Sequence, residues 1–271
     1  YADLATQLKS PDARSAANID TQMDYWRQVL TPPPPVLPLP TVYGRGPRTS
    51  EQATRLDRVM PTACATGLRT LAATLRTTPF AVFIAAYALL LYRWTGVSDI
   101  TIGTMVANRH QPGSRDLIGN FGNTILLRIH VSAQASFREL VAQTAQIVTD
   151  AVSNGDVSFE RLVSEFSPAR EAGHGFFTDT LGLFLDRDIE GPALPDVDVR
   201  WTNIFNGSSP FALTFQGFLT SDVLQVEATF RTELFAPTTV RNMLEHLESI
   251  LSQATASPER SCALVSDLPT Q

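Results

Sequence analysis

One helix sets most of the limits on how this chain can fold. Thr78 followed by Pro79 is a capping hydroxyl with a proline at the first turn, a clean helix start. The body that follows, Phe80-Ala81-Val82-Phe83-Ile84-Ala85-Ala86-Tyr87-Ala88-Leu89-Leu90-Leu91, is apolar nearly all round. A helix without a polar face must be buried on most sides, so it is expected to lie under a sheet. The apolar run from Pro79 to Tyr92 is also shorter than the ~20 residues that cross a bilayer.

The remaining patterns supply that sheet and its other helices. Alternating stretches predict strands over 54–60, 99–106, 124–131 and 180–185, and a hairpin from Phe211 to Phe230 turning at Thr220-Ser221-Asp222. Helical spacing is predicted over 13–30, 62–76, 158–166 and 237–253, and Ser136 with Glu139 forms a capping box for a helix reaching about Val152. Six prolines between Pro32 and Pro40 predict an extended connector rather than a packed element, with exposed coil over Thr41–Ala53 and a tail from Ala263 to Thr270. The fold class expected is α/β: a two-layer sandwich of a mixed sheet, about five or six strands, with packed helices.

Charge and cysteine content exclude several functions. With 21 basic against 27 acidic residues and the basic ones scattered singly, a nucleic-acid groove is not expected, nor is a membrane partner. Tyr1-Ala2-Asp3-Leu4 has neither a basic n-region nor an apolar h-region of a signal peptide. Cys64 and Cys262 stand far apart and are expected to pack as small hydrophobes in a reducing, cytoplasmic setting.

Chemistry concentrates in Leu117-Ile118-Gly119-Asn120-Phe121-Gly122-Asn123-Thr124 and in Arg109 just before it. Asn120, Asn123 and Thr124 place amides and a hydroxyl beside an apolar core, either to bind a ligand or to satisfy their own turn. Arg109, at a strand end, is suited to holding a buried carboxylate bidentately, or else is a solvated loop residue. His110, His130, His174 and His246 show no metal-ligand spacing, and no acid is placed to orient His110 as a base. Gly44-Arg45-Gly46-Pro47-Arg48-Thr49-Ser50 lacks the Gly-Lys-Ser/Thr core of a phosphate loop. No Gly-x-Ser-x-Gly elbow occurs.

Four segments together resemble condensation domains of nonribosomal peptide synthetases, specifically their C-terminal half. Tyr1-Ala2-Asp3 with Tyr25-Trp26-Arg27 resembles the linker after the catalytic loop. Asn108-Arg109 with Leu117–Thr124 resembles the Gly-Arg and Ile-Gly-x-Phe-Val-Asn-Thr pair. Asn154-Gly155-Asp156-Val157-Ser158-Phe159-Glu160 resembles His-Gln-Asp-x-Pro-Phe-Glu, and Ser266-Asp267-Leu268-Pro269 the closing segment before an adenylation domain. Gly122, Gly155, Ser158 and Ala212 depart from the pattern, and Arg170–Phe177 is eroded against Arg-Asp-x-Ser-Arg-Asn-Pro-Leu.

The resemblance implies a chloramphenicol-acetyltransferase-like half domain: residues 1–53 as linker helix and proline-rich connector, 54–271 as the C-terminal lobe. Its activity would be peptide-bond formation between two thioesters carried on phosphopantetheine arms, with no cofactor bound directly. The His-His-x-x-x-Asp-Gly signature would stand upstream of Tyr1 on an N-terminal lobe, its Asp paired with Arg109, so this chain alone is not expected to catalyse. The implied partners are that N-terminal lobe, donor and acceptor carrier proteins and a downstream adenylation domain. The loop Ala107–Leu117 and the hairpin Phe211–Phe230 are expected to cross to the partner lobe and to be mobile without it, on either side of an apolar inter-lobe face. The departures also fit a non-catalytic docking module for a tailoring enzyme or carrier protein. A coenzyme A-dependent acyltransferase of the same fold is a more distant alternative.

Overall fold

The structure is a computed structural model and describes residues 13–42, 50–109, 117–166, 177–186 and 204–265. Among these, six strands form one mixed sheet: β1 (Ala53–Val59), β2 (Asp99–Val106), β3 (Asn123–His130), β4 (Thr180–Asp186), β5 (Leu213–Leu219) and β6 (Leu224–Arg231). Their order is β1-β6-β5-β4-β2-β3. The pairs β2–β3, β5–β6 and β6–β1 are antiparallel, and β4 runs parallel to both β2 and β5. The helices are α1 (Ala13–Leu30), α2 (Thr62–Thr74), α3 (Pro79–Thr95), α4 (Phe137–Ser153), α5 (Phe159–Phe166) and α6 (Pro237–Ala256). This is the mixed α/β architecture expected from the patterns.

Helix α3 takes the central place its composition demands. Every residue from Ala81 to Leu91 is buried, with β2 and β4 on one side and α2, α4 and α6 on the others. The Thr78 side chain accepts from the Ala81 amide at 3.2 Å. Gly96, at φ 70°, ends the helix in the left-handed region that a glycine enters without penalty. Gly182 of β4 permits a close approach to this helix: a Cβ there would lie 2.5 Å from Ile84 Cδ1. Both cysteines are buried and free, and burial pushes each thiol up to about 11, away from the thiolate form, as expected of residues that pack as small hydrophobes.

Three expectations are corrected. The proline-rich connector is extended but packed: Leu37 and Leu39 join Met23, Trp26 and Leu30 in the same core as the sheet. The reason is that two leucines alternate with its prolines and supply an apolar side. The hairpin of β5 and β6 occupies the interior of the sheet, its Leu213, Phe215, Val226, Ala228 and Phe230 all fully buried, so its strands are packed here rather than mobile. Finally, the beginning of the expected tail is tethered, because Arg93 Nη2 donates to the carbonyls of Cys262 (3.1 Å), Ala263 (2.5 Å) and Val265 (2.8 Å).

Two local features carry predictions. The Ser136–Glu139 capping box is complete, and Glu139's carboxyl is held below its usual range by the Ser136 backbone and hydroxyl. Ser136→Ala is expected to cost about 1 kcal/mol in urea unfolding. His246 stacks on Trp94 at 5.2 Å, and burial lowers its pKa against the opposing pull of Glu245. Its folded value lies below the unfolded one of about 6.5, so the unfolded chain binds the extra proton first. Stability is therefore expected to fall as pH drops through about 6.5 and to level off below the folded value. His246→Phe should flatten that part of the pH profile.

Candidate functional site

The antiparallel register of β2 on β3 runs from Asp99 opposite His130 to Val106 opposite Asn123. It therefore brings Arg109 and Leu117–Thr124 to one end of the hairpin. Asn108 turns the chain there with φ 47°, a left-handed conformation that asparagine tolerates better than most residues. Arg109 then folds back over the loop. Its Nη1 donates to the Leu117 carbonyl and its Nη2 to the Gly119 carbonyl, each at 2.9 Å, and its guanidinium lies 4.5 Å from the Phe121 ring centroid. Arg109 is thus a loop-closing residue, whatever else it touches.

The three expected ligand residues separate in role. Asn120 Oδ1 accepts from the Gly122 amide at 3.0 Å, the local turn that asparagine favours. A Cβ on residue 122 would come within 3.2 Å of that same oxygen, a tight contact at the position where the resembling motif has valine. Thr124 is half-buried opposite Met105, itself 53 % exposed, while Ile118 is 97 % exposed. An apolar fringe thus borders the polar loop.

Asn123 acts on a different segment. Its Nδ2 donates to the carbonyls of Gly155 (2.9 Å) and Val157 (2.7 Å), and its Oδ1 accepts from the Phe159 amide (3.1 Å). Helix α1 grips the same turn from the other side. Trp26 Nε1 donates to the Asn154 carbonyl at 2.9 Å; Gln22 donates to Asp156 Oδ2 at 2.9 Å and accepts from the Asp156 amide at 3.1 Å. Ser158, at a position where the motif has proline, accepts from the Arg161 amide at 3.3 Å and so caps α5. Three of the four resembling segments thereby meet in one corner. Tyr1–Asp3 of the first segment and the whole fourth segment, Ser266–Pro269, lie outside the described residues, as do His110, His174 and Gly44–Thr49.

Sequence reasoning missed the two residues that lock α1 down. Gln22 is 4 % exposed and pairs as above. Arg128 bonds Asp99 through Nη2 (2.7 Å) and donates from Nη1 to the carbonyls of Val29 and Pro32, each at 2.7 Å. A lone arginine in the apolar run Ile125–Ile129, diagonal to an acid on the neighbouring strand, was the available signal. Chemically, the corner offers hydrogen-bond donors and acceptors on a rigid base. Of the two histidines among the described residues, His130 is exposed at the far end of the hairpin and His246 lies on α6.

Comparison with known proteins agrees with this picture. A family model described as the condensation domain matches residues 1–271. The chain is 33 % identical over 261 residues to phosphinothricin tripeptide synthetase PhsC of Streptomyces viridochromogenes, covering 95 % of this chain and 24 % of that protein. It is 28 % identical over 259 residues to bacitracin synthase 1 of Bacillus licheniformis, covering 96 % of this chain and 5 % of the relative. The chain thus spans only a small part of the length of either relative. Among solved structures, the condensation domain of the monacolin K polyketide synthase MokA is similar with a TM-score of 0.82 at 21 % identity, over 97 % of this chain and 62 % of that one. The X-domain in its complex with OxyB from teicoplanin biosynthesis gives 0.83 at 20 % identity, over 99 % of this chain and 59 % of that one. These two likenesses speak for the fold.

Proposed function

This chain belongs to the condensation-domain family, and we propose that it is the C-terminal, acceptor-side lobe of such a domain, forming a peptide bond between two carrier-bound thioesters in nonribosomal peptide synthesis. The observation that carries the reading is the corner where Arg109, Asn123 and the Asn154–Phe159 turn meet, built from the segments that resemble the family's motifs. Relatives named as a tripeptide synthetase and a bacitracin synthase support the reaction class. In this reading the histidine signature stands on an N-terminal lobe, where its second histidine positions or deprotonates the acceptor amine. Arg109 holds that loop's aspartate across the lobe interface. A guanidinium carries five N–H donors, so closing the 117–119 loop is compatible with gripping a carboxylate as well.

Asn120 and Thr124 then supply hydrogen bonds to a phosphopantetheine amide or substrate carbonyl. Asn123 is reassigned from substrate contact to positioning, because both its N–H donors and its oxygen are engaged by the 155–159 turn. The carrier proteins and a downstream adenylation domain are the partners, in a reducing, cytoplasmic setting. In the complete domain, Arg109→Ala is expected to slow single-turnover amide formation by about 100-fold, the scale of a misplaced catalytic loop. An unchanged rate would remove Arg109 from the mechanism.

A second reading, a docking module for a tailoring enzyme, is favoured by the likeness to a domain solved in complex with OxyB and by the departures at Gly155, Ser158 and Ala212. It expects partner recruitment by the complete domain without any turnover.

A further inference from the structure

Alternation along β5 and β4 separates the two faces of the sheet. Phe215 packs against Tyr87 of α3 with ring centroids 4.9 Å apart, and a Cβ on Gly217 would lie 3.3 Å from Phe83 of α3, so Gln216 between them points to the opposite face. Gly182 meets Ile84 and Phe184 meets Phe83 in the same way, which turns Leu183 and Leu185 to the face of Gln216. The ladders place Leu183 beside Gln216, and the pairing of Gly103 with Leu181 puts Met105 and its partner Thr124 on that face as well. Cover on this face runs out along the strands. Gly103, Leu181 and Thr214 are buried, whereas one step further on Thr124, Leu183 and Gln216 are half-buried and Met105 is exposed. Beyond them Leu185 and Phe218 are half-buried too. No group among the described residues hydrogen-bonds the Gln216 side chain, while its cross-strand neighbour Glu227 is paired with Arg55 at 2.9 Å.

We propose that Gln216 is a substrate-binding residue, its side-chain amide bonded to an amide of the chain that a carrier protein tethers. The inference rests on the acyl transfer proposed above and extends its subsite from the corner across the sheet. A secondary amide brings one donor and one acceptor, and a glutamine amide answers both. The surroundings favour a neutral, mostly apolar ligand. Leu183, Leu185 and Phe218 flank Gln216, and the charge of Glu227 beside it is already met by Arg55. Leu183 and Met105 lie between Gln216 and Thr124, three strand spacings or on the order of 15 Å away. An extended tether of apolar links broken by amides matches that sequence of polar end, apolar middle and polar end.

The test titrates the complete domain with each carrier protein in three forms: without its arm, with the bare phosphopantetheine arm, and with the arm bearing a stable aminoacyl amide. Gln216→Leu is expected to weaken binding of an arm-bearing form by about three- to tenfold, the scale of one hydrogen bond, and to leave the arm-free form unchanged. A loss already present with the bare arm assigns Gln216 to an amide of the arm, and a loss confined to the loaded form assigns it to the acyl group. Gln216→Asn, which restores an amide one methylene shorter, should recover part of the affinity. Equal binding of every form by wild type and Gln216→Leu overturns the proposal. An equal loss for the arm-free carrier overturns it as well, because Gln216 would then serve a protein contact. Binding is read without turnover, so a domain that shows the expected loss yet forms no amide contradicts the proposed reaction and not this contact. Gln216→Ala takes the place of Gln216→Leu should the latter fail to fold.

Discussion

Asn123→Ala is expected to destabilise the protein by about 2–4 kcal/mol, the summed worth of three partly buried hydrogen bonds at about 0.5–1.5 kcal/mol each. The substitution leaves the carbonyls of the buried residues Gly155 and Val157, and the Phe159 amide, without the partner they now share. Amide exchange should rise across 154–159. Asn123→Asp is the sharper probe: at neutral pH it turns a carboxylate toward two carbonyl oxygens and should cost more than alanine. Acidification should then recover part of the loss, because the protonated acid again donates. Urea unfolding of both variants checks the order. A loss under about 0.5 kcal/mol for alanine would mean that the turn holds itself.

The second large effect concerns a buried cation. Arg231 is 1 % exposed at the end of β6, bonded to the Ser50 carbonyl and paired with Glu233. Removing the acid leaves the guanidinium inside without its counter-charge, so Glu233→Ala is expected to cost about 3–5 kcal/mol. Removing the cation instead takes the charge out of the core and leaves Glu233, with a side chain 25 % exposed, able to hydrate. Arg231→Met should therefore cost clearly less than Glu233→Ala. Urea unfolding of the two variants measures the asymmetry, and equal losses would contradict it.

Much of the fold was legible because its signals are local. An all-apolar helix needs a sheet to bury it, a Thr-Pro start and a Ser-x-x-Glu box fix two helix ends, and strict alternation marks β5 and β6. What stayed hidden depends on distant partners. Nothing near Asn123 in sequence says that its amide will hold a turn 32 to 36 residues away, and Gln22 reaches 134 residues to Asp156. The connector misled for a related reason. Proline spacing predicts backbone shape, but whether Leu37 and Leu39 find a core depends on the sheet beneath them. Arg109 was singled out for a carboxylate across an interface, whereas its visible work is on the loop's own carbonyls.

The central claim is that this corner serves acyl transfer between carriers. It is tested most directly with the complete domain, supplied with donor and acceptor carrier proteins loaded with thioesters and followed by intact-mass spectrometry in a single turnover. The account predicts that the donor group moves onto the acceptor carrier as an amide. Carriers that bind while both thioesters stay unchanged would contradict it.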